Sequence, residues 1–307
     1  MARHPRSLFG RVVAITGGAR GIGRATAEAL VDEGARVAIG DLDEALARRT
    51  AEELGAGTVA LPLDVTDRGS FTTFLEQVER ELGPLDVLVN NAGIMPVGPF
   101  VEEDDASARR QIDINVHGVL LGMKLALPGM LERNRGHIVN LASGAGKAGF
   151  PGIATYCATK FAVVGASEAV RAELDGTPIE LSVVMPALVQ TELIDGLDQD
   201  SVPIKPATPQ DVADAIVDAL KFQRFDVFVP RSAGRLHKVM QNLPRPARER
   251  MAKQMKLDKL MTDFDATKRA GYEQRAAQSE PGVGSGTAET GAPAERDATA
   301  EPVGPRA

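Results

Sequence analysis

Short apolar runs alternate with longer amphipathic stretches along most of this chain. RVVAIT at 11–16 is a continuous apolar run, rich in β-branched residues, that stops at glycines. That pattern predicts a buried strand. A helix is expected over 22–33, a second strand at 36–41 (RVAIGD), a helix over 43–54 and a third strand at 58–65 (TVALPLDV). The alternation continues with a helix over 68–82, a strand at 85–93 (LDVLVNNAG), a long helix over 105–132 and a strand at 136–143 (GHIVNLAS). A helix over 155–174, a strand at 179–186 (IELSVVMP), a helix over 209–222 and a strand at 225–230 (FDVFVP) complete it. Strands separated by helices predict an α/β fold, a doubly wound parallel sheet with helices on both faces. No break interrupts the pattern, so residues 8–230 form one domain.

Beyond Pro230 the pattern changes. Leu236, Val239, Met240 and Leu243 are spaced i, i+3, i+4, i+7, and Leu257, Leu260, Met261 and Phe264 repeat the spacing after Pro244 and Pro246. Two short amphipathic helices are expected. Residues 231–275 carry 12 Lys plus Arg against 5 Asp plus Glu, a local net charge of +7. The plainest expectation is that these helices pack on the domain or on a sister subunit. A sharper one is peripheral contact with an anionic membrane surface, through which a lipophilic substrate enters. Residues 276–307 are rich in Gly, Pro, Ala, Thr and Glu. They lack the apolar groups that offset ordering entropy, so a disordered tail is expected.

Composition narrows the possibilities. A net charge of −7 over 307 residues argues against a general nucleic-acid binder. A single cysteine excludes an internal disulfide and is compatible with a cytoplasmic location. Four scattered histidines form no zinc pattern with it, so no metal is expected. Neither a signal peptide nor a membrane span is expected from the hydropathy pattern.

Between the first strand and first helix lies TGGARGIG, with Thr16, Gly17, Arg20, Gly21, Ile22 and Gly23. Glycines there let the backbone approach a pyrophosphate, and the helix N-terminus offers free amides with partial positive charge. The alternative is a plain tight turn. Asp41 ends the second strand, 18 residues after Gly23. A carboxylate at that point can accept from both hydroxyls of an adenosine ribose and would repel a 2′-phosphate. Leu42 follows it, so no basic residue stands in. Arg20, inside the loop, is the opposing signal. NAD is expected over NADP. Asp41 could also serve as a helix N-cap.

Tyr156 and Lys160 are one helical turn apart and can share a face. A phenol ionises near pH 10. An ammonium about 4 Å away, at an effective dielectric near 20, contributes roughly 4 kcal/mol, at most about 3 pKa units. Such a tyrosine could exchange protons near neutrality.

The GxxxGxG spacing, Asp41, the NNAG run at 90–93 and the Tyr156–Lys160 pair together resemble the short-chain dehydrogenase/reductase family over about residues 8–230. The resemblance implies a Rossmann fold and hydride transfer between a secondary alcohol, with its ketone, and a nicotinamide cofactor. It implies that Asn115, Ser143, Tyr156 and Lys160 form the catalytic set. Tyr156 would act as acid/base, Ser143 would hold the substrate oxygen, Lys160 would tune the phenol and bind the nicotinamide ribose, and Asn115 would support a proton relay. Asp64 and Val65 would touch adenine, while Asn91, Ala92 and Gly93 would line the cofactor site. Pro186, Val189 and Thr191 would lie near the carboxamide. The family generally has Pro-Gly where this chain has Pro186-Ala187. Single alternatives stay open: Ser143 as a strand-end cap, Asn115 as a buried helix-bending group, Lys160 as a solvated charge, Asn90 as purely structural.

The resemblance also implies a homodimer or homotetramer formed through the helices near 105–132 and 155–174, and a flap over 188–208 stiffened by Pro203, Pro206 and Pro209. The substrate is expected to be a small, apolar alcohol or ketone. Two other readings are an NADP-dependent carbonyl reductase and a cofactor-binding regulatory protein without turnover.

Overall fold

The computed structural model describes residues 5–197, 205–254, 261–262 and 264–278. Seven strands form one parallel sheet: β1 (Val12–Thr16), β2 (Arg36–Asp41), β3 (Val59–Pro62), β4 (Val87–Asn90), β5 (Gly136–Leu141), β6 (Ile179–Pro186) and β7 (Asp226–Val229). Their order is β3-β2-β1-β4-β5-β6-β7. Register pairs such as Val13↔Val37, Ile15↔Val89 and Leu88↔Ile138 place β-branched and aliphatic side chains in rows across the sheet. The central strands β1, β4 and β5 are buried along their whole length, as their continuous apolar runs require, while the edge strands β3 and β7 are partly exposed.

Helices cover both faces. They are α1 (Gly21–Asp32), α2 (Glu44–Leu54), α3 (Arg68–Leu82), α4 (Asp105–Ile112), α5 (Gly118–Glu132), α6 (Ala154–Glu173) and α7 (Pro209–Phe222). One core layer gathers Phe71, Phe74, Leu88, Met123, Met130 and Ile138, and the other gathers Ile15, Leu30, Ile39, Val139 and Ile216. Local chemistry sets the starts. Asp43, Asp67 and Asp104 accept backbone amides at the N-termini of α2, α3 and α4. Thr208 and Asp211 form a reciprocal capping box, and Pro209 opens α7 where its missing N–H costs nothing.

The third and fifth strands are shorter than expected, ending at Pro62 and Leu141, and three further expectations change. The fourth strand ends at Asn90 rather than 93, because the amides of Asn91 and Ala92 turn to the Thr16 hydroxyl instead of the sheet. The predicted helix over 105–132 contains a π-helical turn, Asp113–His117, between α4 and α5. Asp105–Glu132 is also long and apolar enough to cross a membrane, contrary to the hydropathy expectation, but half of its apolar window is buried in the protein.

Past Pro230 come α8 (Arg231–Gln241), α9 (Arg245–Gln254) and α10 (Ala266–Gln278). The first predicted amphipathic helix is α8. The second is not a continuous helix: Met261 lies in a turn and Phe264 pairs in an isolated bridge with Leu197. Leu257 and Leu260 lie outside the described residues. Of the tail expected over 276–307, residues 276–278 instead close α10, with Ala276 buried, and residues 279–307 lie outside the described residues.

Candidate active site

One cavity of about 1170 Å³ runs along the C-terminal edge of the sheet. At one end is the glycine loop. Gly17 and Gly21 hold φ of +62° and +54°, a region that favours glycine. Gly23 is constrained differently: a Cβ there would lie 2.1 Å from the Gly17 carbonyl oxygen. Asn91 braces the loop, its Nδ2 donating to the carbonyls of Thr16 and Gly17 at 2.9 Å. No side chain caps α1 and its first turn carries no acid. Its N-terminus is thus left to an outside acceptor, and the loop fits a dinucleotide pyrophosphate.

Asp41 accepts from the amides of Ala19 and Asp43, both at 3.1 Å. Burial pushes its carboxyl upward, while these two amides pull it back. It is not the cap of α2; Asp43 is, accepting from the Leu46 amide. Arg20 is held by Asp43 at 2.9 Å and by Glu192 at 3.5 Å. Leu42 lies exposed beside Asp41, and Asp64 turns its carboxylate to Thr66.

The other expected residues meet where β4, β5 and β6 end. Ser143 follows β5 and accepts from the Ala145 amide at 3.1 Å, so it does cap a turn. Its hydroxyl also lies close enough to the Tyr156 phenol to pull that pKa down, against the larger effect of burial. Tyr156 and Lys160 sit on the buried side of α6, with Lys160 only 4% exposed and therefore no solvated charge. The Lys160 ammonium donates to the Leu141 carbonyl at 2.9 Å and lies 5.5 Å from the centre of the Tyr156 ring. The expected lowering of the phenol is not found. Burial pushes Tyr156 up to about 12, and burial pulls Lys160 down to about 8. The ammonium is aimed at a backbone carbonyl, so desolvation outweighs its field at the phenol.

Asn115 is fully buried in the π-helical turn, accepting from the Ile94 amide and donating to the Ile94 carbonyl, both at 2.8 Å. It sits within the π-helical turn and pins the loop behind the reacting corner. Of the expected residues, only Gly23 and Asn115 do not line the cavity. Asn90 bonds Asn140 at 2.8 Å and is structural, and Cys157 is buried and accepts from the Phe150 amide.

The short chain dehydrogenase pattern matches residues 11–201. The chain belongs to that family. It is 42% identical over 192 residues to sorbitol dehydrogenase of Cereibacter sphaeroides, 62% of this chain and 75% of that one. It is 39% identical over 233 residues to 2-(S)-hydroxypropyl-CoM dehydrogenase 3 of Xanthobacter autotrophicus, 70% of this chain and 91% of that one. A short chain dehydrogenase/reductase from Burkholderia phymatum, solved in complex with NAD, superposes with a TM-score of 0.70 at 26% identity, covering 77% of this chain and 94% of that one. The protein is thus an oxidoreductase of the short chain dehydrogenase family with a Rossmann-type sheet.

The family match stops before the segment that completes the cavity. Tyr272, on α10, is buried and its hydroxyl accepts from the Met95 amide at 2.7 Å. Burial pushes its phenol upward. Arg269, fully buried, donates to the carbonyls of Met95, Leu193 and Asp195 at 2.6, 2.8 and 3.2 Å and pairs with Glu273 at 2.7 Å. Glu192 joins Arg20 to Arg275, the latter at 2.9 Å. These contacts lay α10 across the loop after β4 and the loop after β6. Within the expected flap, Val189 bridges Ala207 and Glu192–Ile194 forms a 3-10 turn, while Pro203 lies outside the described residues. Sequence reasoning missed Arg269 and Tyr272. The scarcity of tyrosine, two in the chain, was the available signal.

Proposed function

We propose that this protein is an NAD-dependent dehydrogenase/reductase that interconverts an apolar secondary alcohol and its ketone. The observation that carries this reading is the meeting of Ser143, Tyr156 and Lys160 in the same cavity as the glycine loop. When bound, a nicotinamide dinucleotide supplies the hydride acceptor or donor. Gly17, Gly21, Ile22 and the α1 N-terminus would hold its phosphates, Asp41 and Leu42 its adenosine ribose, Asp64 and Val65 its adenine, and Lys160 its second ribose. Ala92, Gly93, Pro186, Val189 and Thr191 would wall the nicotinamide end.

Ser143 and Tyr156 would hold the substrate oxygen between them. In reduction, Tyr156 gives its proton to that oxygen; in oxidation it takes the alcohol proton as the carbon loses hydride. A phenol held protonated by burial suits the first role directly. Asn115 would position the loop at Ile94 and, through it, the corner that receives the substrate. Met95, Ile153, Leu188, Ile194 and Met261 form an apolar cluster around Tyr156, which supports an apolar substrate.

NAD is favoured over NADP because Asp41 is buried beside the loop and Arg20 is already held by two carboxylates. Arg20 at the cavity wall is the observation that keeps NADP use as the second reading. The assembly we favour is a homodimer or homotetramer, since Ile112, Leu131 and Phe161 expose large apolar side chains on α4, α5 and α6.

The test is absorbance of NADH over a panel of apolar secondary alcohols, with Tyr156→Phe alongside. Turnover should fall by about 10³-fold in the variant while cofactor binding survives. A regulatory protein would bind cofactor and oxidise none of the panel. Persistent turnover in the variant would remove Tyr156 from the acid/base role.

A further inference from the structure

The cavity has a second half that the dinucleotide reading leaves open. Asp41 and Asp64 lie over β2 and β3, at one edge of the sheet, whereas β7 and α8 lie at the other. The cavity nonetheless continues to α8 and α9, where Leu236, Met240, His237, Arg245, Arg248 and Glu249 line it. The apolar stripe that the sequence shows on α8 therefore does not join the core: neither Leu236 nor Met240 belongs to any of the described apolar clusters. Both face the cavity, and of the stripe only Val239 is a large apolar side chain left prominently in solvent.

The rim around that stripe is basic. Lys147, from the loop after β5, lies close enough to His237 to lower its pKa, burial being the larger cause. His237 stacks on Phe228 with ring centres 5.8 Å apart. Glu168 holds Lys147 at 3.1 Å and Glu249 holds Arg245 at 2.8 Å. Arg248 has no carboxylate partner among the described residues. An apolar wall that turns inward beneath a rim whose cations outnumber its carboxylates by one, Arg248, is complementary to an amphiphile with a single negative charge.

We propose that this outer half binds the apolar chain and anionic head of an amphiphilic substrate. The chain lies along Leu236 and Met240, and the head sits between Arg245 and Arg248. This rests on the oxidoreductase reading, because it places the reacting carbon of the same molecule at Tyr156. The head could be a carboxylate or a phosphate, and the shared requirement is negative charge at the end of an aliphatic chain.

The experiment measures binding, so it does not depend on turnover. Decanoate, decyl phosphate and 1-decanol are titrated into the full-length protein with NAD present, at low and high salt. The wild type should bind both anions more tightly than decanol, and high salt should remove the difference. Arg245→Glu with Arg248→Glu, both on the exposed rim, should weaken the anions about tenfold and leave decanol unchanged. Leu236→Gln with Met240→Gln should weaken all three. A stronger effect on one anion tells carboxylate from phosphate. Equal binding of decanol and the anions, or no response to the charge reversal, overturns the proposal. So does retention on anionic vesicles that disappears in the charge-reversed variant while decanoate binding does not. If the anions bind as expected but no hydroxylated counterpart is oxidised, the oxidoreductase reading fails instead.

Discussion

The guanidinium of Arg269 donates to the carbonyl oxygen of Met95 at 2.6 Å, joining the last described helix to the loop that leaves β4. The same group reaches Leu193 and Asp195, so one buried side chain ties together three segments around the substrate end of the cavity. Arg269→Met keeps an aliphatic stem but strips three carbonyls of their donor. The cost should be about 3 kcal/mol, most of it from buried carbonyls left without a partner. Because few apolar groups anchor α10, the loss should appear as local opening. Amide exchange should accelerate over 192–197 and 266–278 while the sheet keeps its protection. Unchanged exchange in those two segments would show that Arg269 is not what holds the helix down.

The doubly wound sheet was legible because short apolar runs alternate with amphipathic stretches of helical length, and the two periods differ locally. The glycine loop and the Tyr156–Lys160 pair were legible because their spacing is local. The direction of the phenol shift was not. It depends on where the Lys160 ammonium points, and the Leu141 carbonyl that captures it is 19 residues away in sequence. Arg269 and Tyr272 were hidden for a related reason. A polar side chain that satisfies backbone carbonyls has no periodic signature, and α10 has little apolar stripe of its own. The inward turn of Leu236 and Met240 was equally unreadable, since an amphipathic pattern states that a face is apolar and not what covers it.

Lys160 makes a pH-dependent prediction. Its folded-state pKa, about 8, is depressed below the ordinary lysine value by burial. The stability associated with it is therefore complete above the unfolded value and is lost as pH falls through about 8. At pH 7 the protein holds a buried ammonium at a cost of about 3 kcal/mol. Raising the pH from 7 to 9.5 should recover about 2 kcal/mol in the wild type relative to Lys160→Met. Urea denaturation of both proteins at the two values checks this. The variant should also be as stable as the wild type or more so at pH 7, although inactive. A difference between them that stays constant with pH would mean that the ammonium is not desolvated as its surroundings imply.

Asp41 carries the cofactor prediction. Its carboxylate is fixed by the amides of Ala19 and Asp43, so it cannot swing away from an incoming 2′-phosphate. Asp41→Ala removes the like charge and leaves Arg20 in place. The ratio of kcat/KM for NAD to that for NADP should fall by about 100-fold. Arg20→Ala in the same background should reverse part of the NADP gain. A wild-type enzyme that already prefers NADP would show that Arg20 is released from Asp43 and Glu192 when cofactor arrives, and that the carboxylate does not govern the choice.

Phe161 tests the assembly. It lies on α6, one position after Lys160 and about 100° round the helix from it, with nearly half of its surface in solvent. Ile112 on α4 and Leu131 on α5 are similarly open, so the helices that support the reacting corner from inside carry apolar groups outside. Burying such a side chain contributes about 2 kcal/mol per subunit, and a symmetric interface uses it twice. Phe161→Asp would instead bring two carboxylates together at a two-fold axis through α6. The wild type should sediment as a dimer or tetramer, and the variant should shift toward the monomer. Activity should fall with the loss of assembly if α6 needs its partner to hold Tyr156 in register, and survive if it does not. A wild-type monomer at micromolar concentration would leave Phe161 as a lone surface residue and remove the basis for an interface here.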